Sequence, residues 1–354
     1  MTILSSEPTS TFLRACHGLP TDYTPIWLMR QAGRYMAEYR AIRAQHSMLD
    51  VINTPELAAE VTLQPIKAFG FDAAIIFADI LPPLIGMGLN LEFVKGEGPV
   101  IYNPLQGPAD VAALQTPPAA ETMPATLEAI KLVVAELGQK TPLIGFAGAP
   151  FTLASYAIEG GGSKVYAKAK ALMYREPKAW HMLMEKLVTV QVDYLLEQAK
   201  AGAAVLQLFD SWAGLALGVD DYIEFVQPHN RRLFVEIAAA GVPTINFSTG
   251  TGAYLDEVAA CGGAVVGVDW RVRLDEAWEM IGWQRPIQGN LDPIALLTGW
   301  DQLKARVDVV LERAARGKAQ GGVSHIFNLG HGILPNTPIE NVQRLVEYVH
   351  EQTS

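Results

Sequence analysis

Eight short apolar runs, separated by segments of helical periodicity, constrain the fold of this chain more than any other feature. Continuous apolar runs of this length are typical of strands buried on both faces, as in parallel sheets. Each run stops at a polar residue, Gly or Pro. The eight are PIWLMR from Pro25, DAAIIFAD from Asp72, PLIGFAG from Pro142, AAVLQLFDS from Ala203, PTINFST from Pro243, AVVGVDW from Ala264, PIQGNLD from Pro286 and SHIFNLGHG from Ser324.

The segments between these runs carry apolar residues at helical spacing, and several end at the glycine that commonly stops a helix. Strand and helix therefore alternate, which predicts an α/β fold. Eight repeats favour a closed (β/α)8 TIM barrel, and an open doubly wound sheet is the alternative. The clearest helical segments are PELAAEVTLQPIKAFG, AWHMLMEKLVTVQVDYLLEQAKAG, DYIEFVQPHNRRLFVEIAAAG, AYLDEVAACGG and DQLKARVDVVLERAARGKAQGG.

The long connection after the second run, residues 81–141, is predicted to decorate the barrel. Its LEFVKGEGPVIYNPL stretch indicates a hairpin around Gly96 and Gly98, and ATLEAIKLVVAELG indicates a helix. No composition shift, repeat or Pro/Ser-rich linker divides the chain. We expect one domain over residues 1–354, with a short N-terminal extension over about residues 1–20.

Composition narrows the classes of partner. Of 354 residues, 50% are apolar and 18% charged, which excludes a disordered chain. The formal net charge of -10 argues against nucleic acid or an anionic membrane as partner. The two cysteines, Cys16 and Cys261, lie far apart without a Cys/His cluster, and the first residues, including Glu7, lack the apolar core of an export signal. We therefore expect a cytoplasmic protein that does not cross a membrane.

The residues that end the apolar runs are unusually polar. In a barrel, the carboxyl ends of the strands and the loops after them carry the active site. The candidates at these ends are Arg30, Arg34, Asp79, Tyr156, Asp210, Ser211, Ser248, Asp269, Asn290, Asn328 and His331.

The loop after the first run concentrates positive charge, with four arginines and Glu38 as the nearby acid. A guanidinium stays protonated and offers a planar fork to a carboxylate or phosphate. Arg30 and Arg34, beside Gly33, are therefore candidates to clamp an anionic substrate. For Arg40 and Arg43 a solvated helix face is an equal alternative.

Asp79 follows strongly apolar residues in IIFADILPPLIGMG. A carboxylate there loses several kcal/mol of solvation unless donors or a cation meet it. One interpretation is that it accepts hydrogen bonds from ligand N–H groups or stabilises a developing positive charge. The alternative is a helix N-cap or a fixed partner of Arg30 or Arg34, and the sequence leaves both open.

His331, in NLGHGILPNTP, is flanked by glycines that would let the backbone approach a ligand. A lone histidine is more often structural than catalytic, although this one follows the eighth run. The glycine-rich GFAGAPFTLASY and EGGGSK segments match neither a Walker loop nor a dinucleotide-binding fingerprint. No metal-ligand spacing and no GxSxG elbow occurs, so the residues predict no metal site.

Two long segments, PIWLMRQAGRYMAEYR and GFAGAPFTLASY, closely resemble the signatures of the uroporphyrinogen decarboxylase family. Five shorter motifs, FADIL, EGGGSK, FDSWAG, QGNLDP and NLGHGI, follow the family's order, so the resemblance covers nearly the whole chain. It implies a barrel, usually a homodimer, that converts the four acetate side chains of uroporphyrinogen III to methyl groups. The product is coproporphyrinogen III, on the route to haem, and no cofactor is used.

The resemblance also implies roles for individual residues. Arg30, Gln31, Ala32, Gly33 and Arg34 form a substrate-carboxylate site, with Arg30 and Arg34 also catalytic. Asp79 is the central, catalytic ligand of the pyrrole N–H groups, and the further substrate contacts are Tyr156, Ser211 and His331.

Residue chemistry agrees with these roles. A pyrrole protonated at a ring carbon serves as the electron sink, and a fixed carboxylate stabilises the resulting cation more than the neutral ring. The proton donor stays open between an arginine, a water and a substrate carboxyl group. The negative net charge opposes a polycarboxylate substrate, but salt screens charges beyond about 8 Å, so nearby arginines dominate.

The residues bear on two other functions. A corrinoid-linked methyltransferase of the same fold would need zinc-binding Cys and His near the last strand, where His331 is followed by Gly332 and Cys261 stands alone. A non-catalytic tetrapyrrole carrier would keep the arginines without the chemistry. Asp79 and Tyr156, in their full motifs, argue against the carrier.

Overall fold

The computed structural model describes residues 8–354 and contains a curled sheet of parallel strands, as the sequence predicted. The strand order is β1-β4-β5-β6-β7-β8-β9, and β2 pairs with β3 in a separate antiparallel hairpin. The strands are β1 Ala74–Ile75, β2 Leu91–Val94, β3 Gly98–Ile101, β4 Leu143–Gly148, β5 Val205–Asp210, β6 Thr244–Ser248, β7 Val265–Gly267, β8 Ile287–Leu291 and β9 His325–Leu329.

Residues 25–28, which we call the closing segment, join the two edges of this sheet. Ile26 forms a parallel bridge with Phe327 of β9. On the other side, the Ile26 carbonyl accepts a hydrogen bond from the Asp72 amide at 3.0 Å, just before β1. All eight predicted runs thus occupy consecutive positions around a closed ring, and the open-sheet alternative is wrong.

Side chains fill the barrel. Trp27 Nε1 donates to Gln288 Oε1 at 2.9 Å, and Gln288 Nε2 donates to Gln207 Oε1 at 3.3 Å. The closing segment, β8 and β5 are not neighbours in the ring, so these bonds cross its interior. Phe209 stacks edge-on with Phe146 and Phe247, at 5.5 and 5.7 Å between ring centroids. These layers form the floor below the carboxyl ends of the strands.

Helices surround the ring, and each strand of the ring is followed by at least one. Among the described residues none is long and apolar enough to cross a membrane. The helices are α1 Thr11–Cys16, α2 Ala37–Gln45, α3 Met48–Asn53, α4 Pro55–Phe69, α5 Pro83–Gly86, α6 Pro108–Ala113, α7 Ala119–Thr122, α8 Pro124–Leu137, α9 Pro150–Glu159, α10 Ala167–Arg175, α11 Pro177–Ala201, α12 Ala213–Ala216, α13 Val219–Phe225, α14 Gln227–Ile237, α15 Leu255–Ala260, α16 Leu274–Ile281, α17 Trp300–Ala319 and α18 Ile339–Thr353. Short 3-10 helices cover Ala238–Ala240, Gly252–Tyr254 and Pro293–Leu297.

The decorated connection is confirmed. β2 and β3 pair with Val94 opposite Gly98, and Gly96 and Gly98 adopt the positive φ of 92° and 91° that the turn requires. The predicted helix over 221–241 is instead broken into α13, α14 and a 3-10 turn. Pro228 lies in the first turn of α14, where its missing N–H and ring would interrupt a continuous helix.

Part of the predicted N-terminal extension is built into the core. Phe12 and Ala15 of α1 are fully buried, and Ser324 Oγ donates to the Ala15 carbonyl at 2.7 Å. Helix α1 therefore packs against the start of β9. The boundary of the extension and the single-domain interpretation stay predictions. Residues 1–7, on which the expectation about an export signal partly depends, lie outside the described residues.

Asp72 fastens the closing segment from the amino-terminal end of the barrel. Its Oδ2 accepts from the Ile26 amide at 2.7 Å and contacts Nε2 of His350, on α18, at 2.8 Å. Its Oδ1 accepts from the Tyr23 hydroxyl at 2.9 Å. One carboxylate thus connects β1, the closing segment and the last helix.

We expect Asp72→Ala to lower the free energy of unfolding by about 2–3 kcal/mol, because it leaves three buried or part-buried donors without an acceptor. Urea unfolding followed by circular dichroism measures this loss. Asp22→Ala, which removes an exposed carboxylate nearby, is the control and should shift the midpoint little. Equal midpoints for the two variants would contradict the role given to Asp72.

Candidate active site

The loop after the closing segment presents two guanidiniums. Arg30 and Arg34 are both exposed, and no carboxylate of residues 8–354 forms an ion pair with either. Arg30 has a positive φ of 61°, a conformation that costs a non-glycine residue about 1–3 kcal/mol. Such a backbone outlier persists where neighbouring structure holds it, and here it aims an unpaired cation at the barrel mouth.

Gln31, predicted to bind substrate, has a different environment. Its side chain is fully buried, accepting from the Leu28 amide at 3.2 Å and donating to the Ala73 carbonyl at 3.1 Å. It therefore ties the loop to the start of β1, and we correct the prediction for this side chain. Ala32 and Gly33 are half-buried, and a Cβ on Gly33 would lie 2.9 Å from the Arg30 carbonyl.

The other two arginines of this segment, Arg40 and Arg43, donate hydrogen bonds to backbone carbonyls and are not simply solvated. Arg40 Nη1 donates to the carbonyls of Arg34 and Tyr35 at 2.9 and 2.8 Å, which braces the loop from α2. Arg43 Nη1 donates to the His46 carbonyl. Both guanidiniums are thus engaged by the protein's own backbone, whereas those of Arg30 and Arg34 keep donors available for a ligand.

Asp79 lies half-buried after β1, and its Oδ1 accepts from the Leu81 amide at 3.0 Å. It is neither the N-cap of α5, which begins at Pro83, nor an ion-pair partner of Arg30 or Arg34. Burial raises the pKa of this carboxyl, while the Leu81 and Ile80 amides and the charge of Arg30 oppose the rise. Both structural alternatives are therefore wrong, and the carboxylate keeps capacity for further hydrogen bonds.

Tyr156, on α9, lies near Asp79 and Arg30. Burial and the charge of Asp79 raise the pKa of its phenol, and the charge of Arg30 lowers it. Its ring stacks on Trp212, with centroids 3.9 Å apart, and Tyr166 contacts Trp212 from the other side at 5.3 Å. The phenol therefore stays protonated, as a hydrogen-bond donor in a fixed position.

Ser211 follows β5 and is half-buried. Its carbonyl accepts from Thr249 Oγ1 at 2.7 Å, which joins the loops after β5 and β6. Asp210 beside it is buried and accepts from Thr152 Oγ1 at 2.9 Å and from the Ala213 amide at 3.2 Å. Asp210 thus holds the turn that carries Ser211.

His331, after β9, is half-buried and neutral. Its Nδ1 accepts from the Gly332 amide at 2.7 Å, so the ring proton lies on Nε2. Burial, together with the charges of Arg30 and Arg271, lowers its pKa to about 4. The imidazole therefore offers an uncharged N–H donor at physiological pH.

The glycines beside His331 admit close protein neighbours, and their predicted approach to a ligand stays a prediction. A Cβ on Gly332 would lie 2.4 Å from Cδ of Arg30, and one on Gly330 would lie 2.4 Å from the amide nitrogen of Trp270. These contacts bring the loops after the closing segment, β7 and β9 together.

Other polar residues at the strand ends form hydrogen bonds that hold neighbouring loops and strands together. Asn290 Nδ2 donates to the carbonyls of Asp269 and Val272, both at 2.8 Å, and Asn328 Oδ1 accepts from the Met29 amide at 3.0 Å. Ser248 Oγ contacts Thr251 Oγ1 at 2.6 Å. All three of these candidates are buried. The structure thus brings together Arg30, Asp79, Tyr156 and His331. Arg34 lies on the same loop as Arg30, and Ser211 lies on the loop after β5.

Sequence reasoning missed two residues next to the candidate site, the aromatic Trp212 and the charged Arg271. Trp212 stacks on Tyr156, and the guanidinium of Arg271 lies 4.2 Å from the Trp270 ring. Each follows a polar residue that was noticed, Ser211 or Asp269, and that adjacency was the available signal. Within residues 8–354, no three His, Cys, Asp or Glu side chains are grouped so as to hold a metal ion.

Comparison with known proteins relates the chain to one family. The family model described as Uroporphyrinogen decarboxylase (URO-D) matches residues 7–352. The chain is 52% identical over 350 residues to the uroporphyrinogen decarboxylase of Roseiflexus sp. (strain RS-1), covering 98% of this chain and 99% of that one. For the uroporphyrinogen decarboxylase of Carboxydothermus hydrogenoformans the identity is 53% over 344 residues, 97% of each chain.

A solved structure shares the fold. It is a methyltransferase from Methanosarcina mazei, similar with a TM-score of 0.80 over 97% of this chain and 98% of its own. The sequence identity is 22%, so this likeness shows the fold alone.

We expect His331 to titrate near pH 4 in a histidine-selective NMR experiment. Because the folded state disfavours the imidazolium, the associated stability is present above the ordinary pKa of 6.5 and is lost as pH falls toward about 4. His331→Gln assigns the resonance. A midpoint close to 6.5 would contradict the described environment.

Proposed function

The chain belongs to the uroporphyrinogen decarboxylase family, and from that membership we propose the reaction and the role of each site residue. The enzyme is a carboxy-lyase of tetrapyrrole biosynthesis. Its substrate is uroporphyrinogen III, whose four acetate side chains become methyl groups to give coproporphyrinogen III. The observation that carries this assignment to the site is Asp79, a half-buried carboxylate without an ion pair beside the guanidinium of Arg30.

Asp79 binds the pyrrole N–H groups. Its only hydrogen-bond donors among the described residues are backbone amides, so it retains free acceptor positions. When a ring carbon of the substrate is protonated, positive charge spreads to the ring nitrogen. A fixed carboxylate stabilises that charge more than the neutral ring, and the effect grows where the macrocycle excludes water.

Arg30 and Arg34 bind substrate carboxylates. Both are exposed and unpaired in residues 8–354, so each has donors to offer without breaking an existing bond. A carboxylate that gains a bidentate contact to such a fork is held in position and orientation. Tyr156 and His331 add neutral O–H and N–H donors, and Ser211 adds a hydroxyl.

Decarboxylation proceeds on the protonated ring. The bond between the acetate methylene and its carboxyl group breaks, carbon dioxide leaves, and the electron pair neutralises the ring cation. A second proton then converts the exocyclic methylene to a methyl group, and the ring carbon loses the first proton, which restores the neutral pyrrole. The chain's own contribution is orientation of the acetate and stabilisation of the cation; the donor of each proton is an arginine, a water or a substrate carboxyl group.

The remaining features follow the family expectation. We propose one domain over the chain, a homodimer, no cofactor and no nucleic-acid partner. Two buried free cysteines, Cys16 and Cys261, support a reducing cytoplasm. Two exposed apolar side chains support a subunit contact at this end of the barrel: Val165, between α9 and α10, and Leu215, on α12 after β5.

We expect the purified protein, without added cofactor, to convert uroporphyrinogen III through seven-, six- and five-carboxylate intermediates to coproporphyrinogen III. Chromatography of the oxidised porphyrins after dialysis against a chelator follows each species. Unchanged substrate that nonetheless binds the protein would favour a tetrapyrrole carrier and contradict the proposed reaction.

We expect Asp79→Asn to lower kcat/KM by about 10²–10³, because the amide keeps the shape but not the charge that stabilises the ring cation. The same variant should be more stable at pH 7 by about 0.5–2 kcal/mol. The pKa of Asp79 is raised, so the protonated carboxyl stabilises the fold below the ordinary pKa of 3.8, and that stability is lost as pH rises through the raised pKa.

The matched control is Asp292→Asn. Asp292 follows β8 and makes the same kind of bond, accepting from the amide two residues on, Ile294, at 2.9 Å. Steady-state turnover and thermal unfolding of both variants separate the loss of charge at Asp79 from the loss of a local turn. Full activity of Asp79→Asn would refute the role of its charge.

A further inference from the structure

We propose that Arg271 is a further substrate-binding residue, which receives a carboxylate of the macrocycle at the rim between the loops after β6 and β7. This inference rests on the proposed function and extends its binding site beyond Arg30 and Arg34. The residue lies outside all the motifs that carry the family resemblance.

The guanidinium of Arg271 is held in place but not saturated. It lies 4.2 Å from the Trp270 ring, and Nη1 contacts Asp269 Oδ2 at 2.5 Å. A guanidinium has five N–H donors, so most of its fork stays available. Its side chain is 47% exposed, whereas Asp269 is 3% exposed. The arrangement therefore presents a positioned cation toward solvent.

Asp269 does not need this side chain as its sole partner. Its Oδ2 also accepts from the Gly250 amide at 2.8 Å, and its Oδ1 accepts from the Arg271 amide at 3.0 Å. Backbone donors thus satisfy both oxygens of the buried carboxylate. Asp269 consequently does not require all the donors of the Arg271 guanidinium, and the remaining donors can bind a ligand carboxylate.

A groove of about 500 Å³ adjoins this cation. Its lining includes Gly250, Gly252, Arg271, Arg273 and Glu276. Arg273 is engaged by Glu276 at 3.1 Å and by Asp275 at 3.8 Å. Arg273 thus faces two carboxylates, whereas the one carboxylate beside Arg271 also accepts hydrogen bonds from backbone amides. Arg271 is therefore the groove cation that its protein neighbours neutralise less.

The groove opens beside the site. Gly330 lies against Trp270, whose ring contacts His331 edge-on at 6.5 Å between centroids, and Gly332 lies against Arg30. The charges of Arg30 and Arg271 both lower the pKa of His331. A neutral histidine is thus flanked by two cations, and a polycarboxylate ring bound at Asp79 meets positive charge at both places.

The test is Arg271→Gln. We expect its KM for uroporphyrinogen III to rise about fivefold to tenfold with kcat within about twofold of the parent, because a binding contact is lost and the chemistry is not. Arg271→Lys, which keeps the charge without the fork, should lie between the two. The NMR midpoint of His331 should move upward in Arg271→Gln.

The matched control is Arg344→Gln. Arg344 also lies over a tryptophan, 4.4 Å from the Trp300 ring, and pairs with Glu340 at 3.5 Å, but on the outer helix α18. Its removal changes net charge and ring stacking equally and should leave KM unchanged. Equal KM values for Arg271→Gln and Arg344→Gln would overturn the inference, as would a common collapse of stability and kcat in both Arg271 variants.

Binding of uroporphyrin III, the oxidised octacarboxylate that does not react, separates this inference from the proposed function. Its fluorescence titration requires no turnover. If the parent protein binds it but decarboxylates nothing, the proposed function fails, and the affinity ratio of Arg271→Gln to the parent still judges the inference. If turnover proceeds and that ratio is one, Arg271 is not a binding residue.

Discussion

Closure of the barrel depends on a four-residue segment hydrogen-bonded to a strand edge on each side. Ile26 bridges β9, and its carbonyl and amide both meet Asp72 before β1. Since Arg30 and its loop leave directly from this segment, the same bonds that complete the ring also place the cations over its mouth. Closure of the ring and the position of the arginine loop therefore depend on the same hydrogen bonds.

The two acids around β1 show how differently a fold uses a carboxylate. Asp72 accepts hydrogen bonds from a tyrosine hydroxyl, a backbone amide and a histidine, and these bonds stabilise the fold. Asp79 has backbone amides and a nearby but unpaired arginine, so burial raises its pKa. A buried acid with few hydrogen-bond donors costs stability, and on the proposed function the N–H groups of the ligand supply the missing donors.

Much of the architecture could be predicted because strand burial and helix periodicity are local in sequence. The eight runs and the hairpin at Gly96 follow from them. Pro228 already indicates a break in the helix predicted over 221–241, because proline interrupts a continuous helix. The prediction followed the apolar periodicity and did not take the proline into account. Side-chain assignments were harder: Gln31 proved to be structural and Gly332 to admit Arg30, because both depend on contacts between loops distant in sequence. Motif resemblance predicted the site residues but could not show which of their side chains reach solvent.

The unpaired guanidiniums at the rim have a consequence for how a reaction cycle ends. On the proposed function, every decarboxylation erases one anion from the ring while the protein's cations stay constant. The mutual attraction therefore weakens stepwise along the series, and partly processed rings rebind more readily than finished ones. The affinity of the rim therefore falls with the number of carboxylates left on the ring. Intermediates are bound again and processed further, and the product is released without a conformational change.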